Sequence, residues 1–151
     1  MTDINHATPA DLPAIHAMIK ALSAFHGDTA KVTQDHLHDI FFGPTPMATA
    51  LIAKQNGNAV GYAGLTPTMV LHHGDIRLDI HHLFVHDGHR GHGIGESLIL
   101  AAKAHAKAIN ATRLTIGTDA GNETAIAAYR AMDILEDITG EGPRFRIDLM
   151  S

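Results

Sequence analysis

The sequence contains no cysteine, which excludes disulfides, thiolate catalysis and Cys-based zinc sites and fits a reducing, cytoplasmic setting. No apolar run approaches the ~18 residues that a membrane-spanning helix requires, so no membrane partner is expected. The opening Met1-Thr2-Asp3-Ile4-Asn5 lacks the basic-then-apolar pattern of a secretory signal. Lys and Arg together number 11 against 16 Asp and Glu, for a formal charge of −5. That balance argues against nucleic acid as a partner and mildly favours a cationic one. Linkers, repeats and low-complexity segments are also missing. What remains is 151 residues, 45% hydrophobic and 18% charged, the profile of one soluble globular domain spanning 1–151.

Histidine is the abundant exception, with 13 copies. His72, His73, His81, His82, His86, His89 and His92 crowd the middle of the chain. A metal site would require partners at helical or hairpin register with supporting carboxylates. No H-x-x-x-H pair shares a helix with such an acid here, so these residues read as surface and loop positions, and no metal is expected.

The stretch from Leu83 to Ile109 carries the most information. Leu83-Phe84-Val85 is an apolar strand that runs into Gly88, Arg90, Gly91, His92, Gly93, Ile94, Gly95 and Glu96. A helix follows at once, with Ile94, Leu98, Ile99, Ala102, His105, Ala106 and Ile109 on one face. Such a junction aims unpaired backbone N–H groups and a helix's positive dipole end at whatever lies ahead of it. Glycines admit an anion close to the backbone, and Arg90 adds a charge with fork geometry. The turn reads as a pyrophosphate cradle. It lacks the Gly-Lys-Ser/Thr of a P-loop, and its G-x-G-x-G spacing departs from the dinucleotide fingerprint G-x-G-x-x-G.

Around the cradle the chain divides into recognisable elements. Thr8-Pro9-Ala10-Asp11 signals a helix start, followed by Leu12, Ile15, Ile19, Leu22 and Phe25 on one face until Gly27. A second short helix begins near Thr33, carries Leu37, Ile40 and Phe41, and stops at Gly43-Pro44. Met47 to Lys54 reads as a strand, Asn56-Gly57-Asn58 as a tight turn, Ala59 to about Leu71 and Ile76 to His86 as two further strands. After the cradle helix come a strand at Thr112 to Thr118, a helix at Asn122–Met132, and a closing strand pair with Phe145, Ile147 and Leu149 alternating.

Arg90-Gly91-His92-Gly93-Ile94-Gly95 fits R-x-x-G-x-G, and Asn122-Glu123-Thr124-Ala125-Ile126-Ala127-Ala128-Tyr129 fits N-x-x-A-x-x-x-Y. Together, in this order, they resemble the acetyl-CoA loop and following helix of the GNAT superfamily of N-acetyltransferases, and the likeness covers nearly the whole chain. The resemblance implies an α/β fold with a mixed, mostly antiparallel sheet flanked by helices. It implies acetyl-CoA as cosubstrate and direct transfer of its acetyl group to a primary amine, more readily of a small molecule than of a protein. Homodimers are common in the family.

The same resemblance distributes the work. Residues 90–96 hold the pyrophosphate on their backbone. The edge formed by Leu83, Phe84 and Val85 pairs with the pantetheine arm as an added strand, and an N–H near Val85 holds the developing oxyanion. Asn122 either reaches the pantetheine or caps its helix, and one residue can fill both roles. Tyr129 stands at the position of the acid for a thiolate leaving group of pKa about 8.5. An alkylammonium of pKa about 10.4 must lose a proton at a cost of roughly 4–5 kcal/mol at pH 7. His81 and Asp79, two apart and so on one strand face, are the alternatives for receiving it, while strand parity turns His82 the other way. Asp28, Asp35, His36, His38 and Asp39 form either an amine-steering edge or a plain solvated face. Ala131-Met132-Asp133-Ile134 replaces the family's Gly-Phe, which places the next strand and the acceptor wall in question. The competing function is a non-catalytic acyl-CoA-binding sensor or scaffold, against which retention of Asn122 and Tyr129 speaks.

Overall fold

A computed structural model describes residues 1–150. The chain forms two compact units, Met1–Gly117 and a second beginning at Thr118.

In the first unit five strands form one sheet in chain order: β1 Thr2–His6, β2 Thr49–Gln55, β3 Asn58–Val70, β4 Asp75–Val85 and β5 Arg113–Ile116. β1 to β4 pair antiparallel and β5 joins β4 in parallel. α1 (Leu12–Phe25) and α2 (Gln34–Phe42) follow β1, and α3 (Ile94–Ala108) connects β4 to β5. This is the mixed, mostly antiparallel sheet flanked by helices that the sequence implies.

The alternation of strand residues sorts the core into two layers. Ala50, Ile52, Tyr62 and Phe84 pack with Leu12, Ile15, Met18, Ile19 and Leu37 of the first two helices. Leu51, Ala63, Leu65, Leu78 and Ile80 are also buried, as are Ile94, Leu98, Ile99, Ala102 and Ala106 along α3. Burying Ile94, Leu98 and Ile99 contributes on the order of 5–9 kcal/mol, at about 1.5–3 kcal/mol per large side chain. Phe25, placed on the buried face of α1 by periodicity, is instead 64% exposed. It is the last residue of its helix, where the chain leaves the sheet.

Local chemistry explains the boundaries. Asn56 and Gly57 have φ of 51° and 79°, the paired positive values of a hairpin turn that twists with its strands. Thr33 caps α2 by accepting from the His36 N–H at 3.1 Å. At Thr8 the cap runs in reverse: the Asp11 carboxylate accepts from the Thr8 N–H at 2.8 Å, and a 3-10 turn over Pro9–Asp11 precedes α1. Asp11 also pairs with Lys54 Nζ of β2 at 2.8 Å. Burial pushes its carboxyl up, but Lys54 and the Thr8 bonds outweigh that and hold it below the usual range.

Two register shifts bend the sheet. Ala53 faces Gly61 but Lys54 faces Ala59, leaving Val60 as an extra residue in β3. Gly64 faces His82 but Leu65 faces Ile80, leaving His81 as an extra residue in β4. Each is a β-bulge, which breaks the alternation of side chains. Gly61 sits in the tight spot between them, where a Cβ would lie 2.8 Å from the Phe84 carbonyl oxygen.

The second unit holds α4, Glu123–Arg130. The anticipated closing strands are not formed: among the described residues no strand follows β5. Phe145, Ile147 and Leu149 are 94%, 86% and 88% exposed. Their alternation is a strand's pattern, but a strand requires a paired neighbour, and these residues have none.

Candidate active site

The junction of β4 with α3 places an open strand edge beside a ring of positive-φ glycines. β5 pairs with β4 only from Arg77↔Arg113 to Ile80↔Ile116, so β4 continues past its neighbour from His81 to Val85. The His86 N–H donates to Val60 O of β3 at 2.8 Å. By strand alternation the N–H and C=O groups of Val85 and Leu83 then turn the opposite way, toward the open edge. The Phe84 side chain lies in the core and, by the same alternation, its N–H and C=O face Tyr62 of β3, so of the three expected residues only Leu83 and Val85 present backbone to the open edge.

Gly88, Gly91 and Gly93 have φ of 84°, 77° and 80°, and a Cβ built on any of them meets nothing within 4 Å. Gly93 is the N-cap of α3, and the first helical bond runs from the Ser97 N–H to Gly93 O at 3.0 Å. The N–H groups of the turn ahead of it therefore have no intrahelical acceptor. His92, Gly93 and Glu96 are exposed, Gly95 half-buried and Ile94 buried. The apolar anchor at Ile94 sets the helix while its neighbours present backbone to solvent. These features suit an anion: at Gly88, Gly91 and Gly93 no Cβ stands in the way, and a helix N-terminus carries the matching dipole sign.

Arg90 is already engaged. Its Nε donates to Val85 O at 2.8 Å and its Nη1 pairs with Asp87 at 2.8 Å. Its guanidinium lies over the rings of Phe25 and Phe84, 5.9 and 5.7 Å from their centroids. Arg90 thus straps the turn to the end of β4 and to the last residue of α1, with the rest of its fork left for an anion.

The bulge corrects the strand-parity argument. Tyr62 pairs with Phe84, Gly64 with His82 and Thr66 with Asp79, and paired residues share a face. His82 therefore lies on the same face as Asp79, Phe84 and Tyr62, not on the opposite one. His81 is the extra, exposed residue, with its ring stacked on His82 at 4.7 Å between centroids. Strict alternation had paired His81 with Asp79; the inserted residue replaces it with His82. Asp79 is half-buried and accepts from Thr115 Oγ1 at 2.7 Å.

His82 carries a signal that periodicity could not supply. Its Nδ1 meets the Tyr62 hydroxyl at 2.5 Å, and Tyr62 is 1% exposed. Burial, then the neighbouring His81 and His26, lower the His82 pKa to about 4. The His pair in sequence was visible; its tyrosine partner twenty residues away was not.

In the second unit, the Asn122 side chain accepts from the Ala125 N–H at 3.2 Å, which makes it the N-cap of α4. Tyr129 is half-buried on that helix, and burial raises its phenol above 10. The acidic edge on the first two helices, Asp28, Asp35, His36, His38 and Asp39, is exposed throughout. Among the described residues, no group of three or more His, Asp and Glu is disposed to hold a metal ion. Likewise, no helix is long and apolar enough to cross a membrane.

The sequence profile of the acetyltransferase (GNAT) family matches residues 15–133. Among curated proteins no match is found. Several solved structures share the fold. A probable acetyltransferase superposes with a TM-score of 0.81 at 18% identity, over 97% of this chain and 99% of its own. An aminoglycoside acetyltransferase from an uncultured soil metagenomic sample, in complex with sisomicin, gives 0.80 at 17% identity over 98% and 96%. The ribosomal-protein-alanine N-acetyltransferase of Brucella melitensis biovar Abortus 2308 gives 0.74 at 21% over 97% and 100%.

Proposed function

Because the chain belongs to the GNAT family of acetyltransferases, we propose that it moves an acetyl group from acetyl-CoA directly to a primary amine, on a small molecule in preference to a protein. The observation that carries this reading is the meeting of an open β4 edge at residues 81–85 with a turn of positive-φ glycines at the start of α3. An extended amide-bearing arm ending in a pyrophosphate has the shape and chemistry to occupy both. The aminoglycoside acetyltransferase among the structural neighbours is in keeping with a small-molecule acceptor. The two units act as one catalytic domain in this reading, since the family profile runs from the first into the second.

Acetyl-CoA supplies an activated thioester; the remaining work belongs to the chain. The backbone of Arg90 to Glu96 binds the pyrophosphate, with Ile94 anchoring the helix beneath it. Leu83 binds the arm through its outward N–H and C=O groups, and the N–H of Val85, whose carbonyl is held by Arg90, stabilises negative charge on the thioester oxygen. Tyr129 protonates the departing thiolate. Its raised pKa keeps the phenol protonated at neutral pH, as a donor of that proton must be. His81 or Asp79 receives the proton of the incoming ammonium, directly or through water. Asn122 holds the start of α4 and thereby the helix that carries Tyr129.

Free-thiol release from acetyl-CoA with a panel of amines tests this reading, run beside Tyr129→Phe and beside calorimetric titration with CoA. Turnover with one amine class, reduced at least a hundredfold in the variant, is expected. Absence of CoA binding refutes the proposal. Saturable CoA binding without thiol release from any amine refutes the catalytic part and leaves an acyl-CoA-binding protein.

A further inference from the structure

The Tyr62–His82 pair has no task in the scheme above, yet its geometry fixes what His82 can do. Tyr62 is buried among Ile15, Met18, Ile52 and Phe84, and its hydroxyl has one polar neighbour, His82 Nδ1 at 2.5 Å. A hydroxyl can donate one hydrogen bond and accept others. Accepting from an Nδ1–H would strand the phenol's own proton in the core, whereas donating to Nδ1 satisfies both atoms. Burial raises the Tyr62 pKa, so that proton stays in place. The neutral ring must then carry its hydrogen on Nε2.

Among the described residues His82 Nε2 has no hydrogen-bond partner and is not a buried unpartnered atom, so it opens to solvent. It lies on the face of β4 that carries Phe84, whose ring borders the Arg90 guanidinium. His81 stacks on the same ring. Burial first, then His81 and His26, hold the imidazole neutral down to about pH 4.

We propose that Tyr62 locks His82 as the Nε2–H tautomer, and that this N–H is a hydrogen-bond donor to the acceptor substrate, selecting amines that carry an oxygen beside the reacting nitrogen. The inference rests on the acetyl-transfer reading for the site's role, and on geometry alone for the tautomer. His82 cannot serve as the base while its Nδ1 holds the tyrosine proton, so that task stays with His81 or Asp79. The His81 ring is 4.7 Å from that of His82. The base candidate and the donor are thus neighbours, so the oxygen that His82 addresses belongs close to the reacting nitrogen, as in an amino alcohol. A neutral donor also suits an incoming ammonium, which an imidazolium would repel.

The test is nitrogen NMR of the full chain labelled with 15N-histidine, with His82 assigned by loss of its signals in His82→Gln. At pH 7 the wild-type protein is expected to show a protonated Nε2 and a bare Nδ1, and Tyr62→Phe to show a tautomer mixture. Titration with 2-aminocyclohexanol is expected to move the Nε2–H resonance, and cyclohexylamine to leave it in place. In turnover, the kcat/KM preference for the amino alcohol is expected to fall about tenfold in His82→Leu, which removes the donor and so one hydrogen bond, and by only about twofold in Tyr62→Phe, where part of the population keeps its Nε2–H. An Nδ1–H tautomer in the wild-type spectrum overturns the lock. Equal responses to the two amines overturn the selection. Both NMR results are obtained whether or not any amine is acetylated, so failure of the acetyl-transfer reading is seen separately in the thiol assay.

Discussion

Gly93 and Gly88 offer a matched pair of substitutions that separates the cradle's stability from its binding. Both adopt left-handed backbone, with φ of 80° and 84°, and at both an added Cβ meets nothing within 4 Å. Changing either to alanine therefore adds no clash, and the cost is the left-handed penalty of roughly 1–2 kcal/mol. For a chain of this size that lowers Tm by about 2–8 °C, nearly equally in the two variants. Their positions differ in consequence. Gly93 caps α3, where the Cβ would occupy space that the proposed pyrophosphate must enter, whereas Gly88 belongs to the preceding turn. Losing one or two charge-assisted hydrogen bonds, at about 1.5–3 kcal/mol each, weakens CoA binding at least tenfold in Gly93→Ala. Gly88→Ala should bind within about twofold of wild type. Calorimetry with CoA beside thermal unfolding reads both quantities. Wild-type affinity in Gly93→Ala, or an equal loss in both variants, would refute the anion-cradle reasoning.

Three further outcomes follow from the packing. Lys54→Met leaves the Asp11 carboxylate, 10% exposed as a side chain, with Thr8 as its remaining partner, and should cost roughly 1–3 kcal/mol in urea denaturation. The folded pKa of Asp11 is depressed, so its contribution is present above pH ~4 and lost as pH falls through the folded value; a variant with an unchanged acid slope would contradict the pairing. His82 titrates at about 4 when folded against 6.5 otherwise, so its contribution is full above 6.5 and lost as pH falls toward 4. That difference bounds the effect at about 3 kcal/mol, and partial solvent access reduces it to roughly 1–2. His82→Gln should flatten the slope of stability between pH 6.5 and 4 without abolishing it, because burial and then His6 also lower His105. Gly61→Ala drives a methyl to 2.8 Å from the Phe84 carbonyl oxygen and should cost about 1–3 kcal/mol; a loss under about 0.5 kcal/mol would show that the bulged strands yield freely.

The parts of the fold legible in the sequence were those whose cause is local. The Asn56-Gly57 turn, the helix start near Thr33 and the stripe from Ile94 to Ala106 each state their structure within a few residues, and all three formed. What escaped depends on partners distant in the chain. β1 has the sequence Thr2-Asp3-Ile4-Asn5-His6, with one large apolar residue, and exists by pairing with β2. The strand pattern of Phe145, Ile147 and Leu149 is the converse, periodicity without a neighbour. At His81 the alternation argument failed because a bulge belongs to the pairing of β3 with β4 and leaves no mark in β4 alone. The turn before α3 was readable from its glycines, three of which adopt positive φ; the Tyr62–His82 contact was not, since nothing near His82 announces Tyr62.

The length of β4 beyond Ile80 that β5 leaves uncovered also bears on how the protein fares when nothing is bound along that edge. Backbone groups on an exposed strand edge invite pairing with any extended chain, including a second unfolded or damaged one. On the proposed reading, acetyl-CoA is a temporary last strand that covers the edge at each binding event. A ligand held at a hundred times its dissociation constant adds about 2.7 kcal/mol to the folded state. The supply of acetyl units would then set two quantities together: how fast the protein works, and how long each molecule survives proteolysis and aggregation.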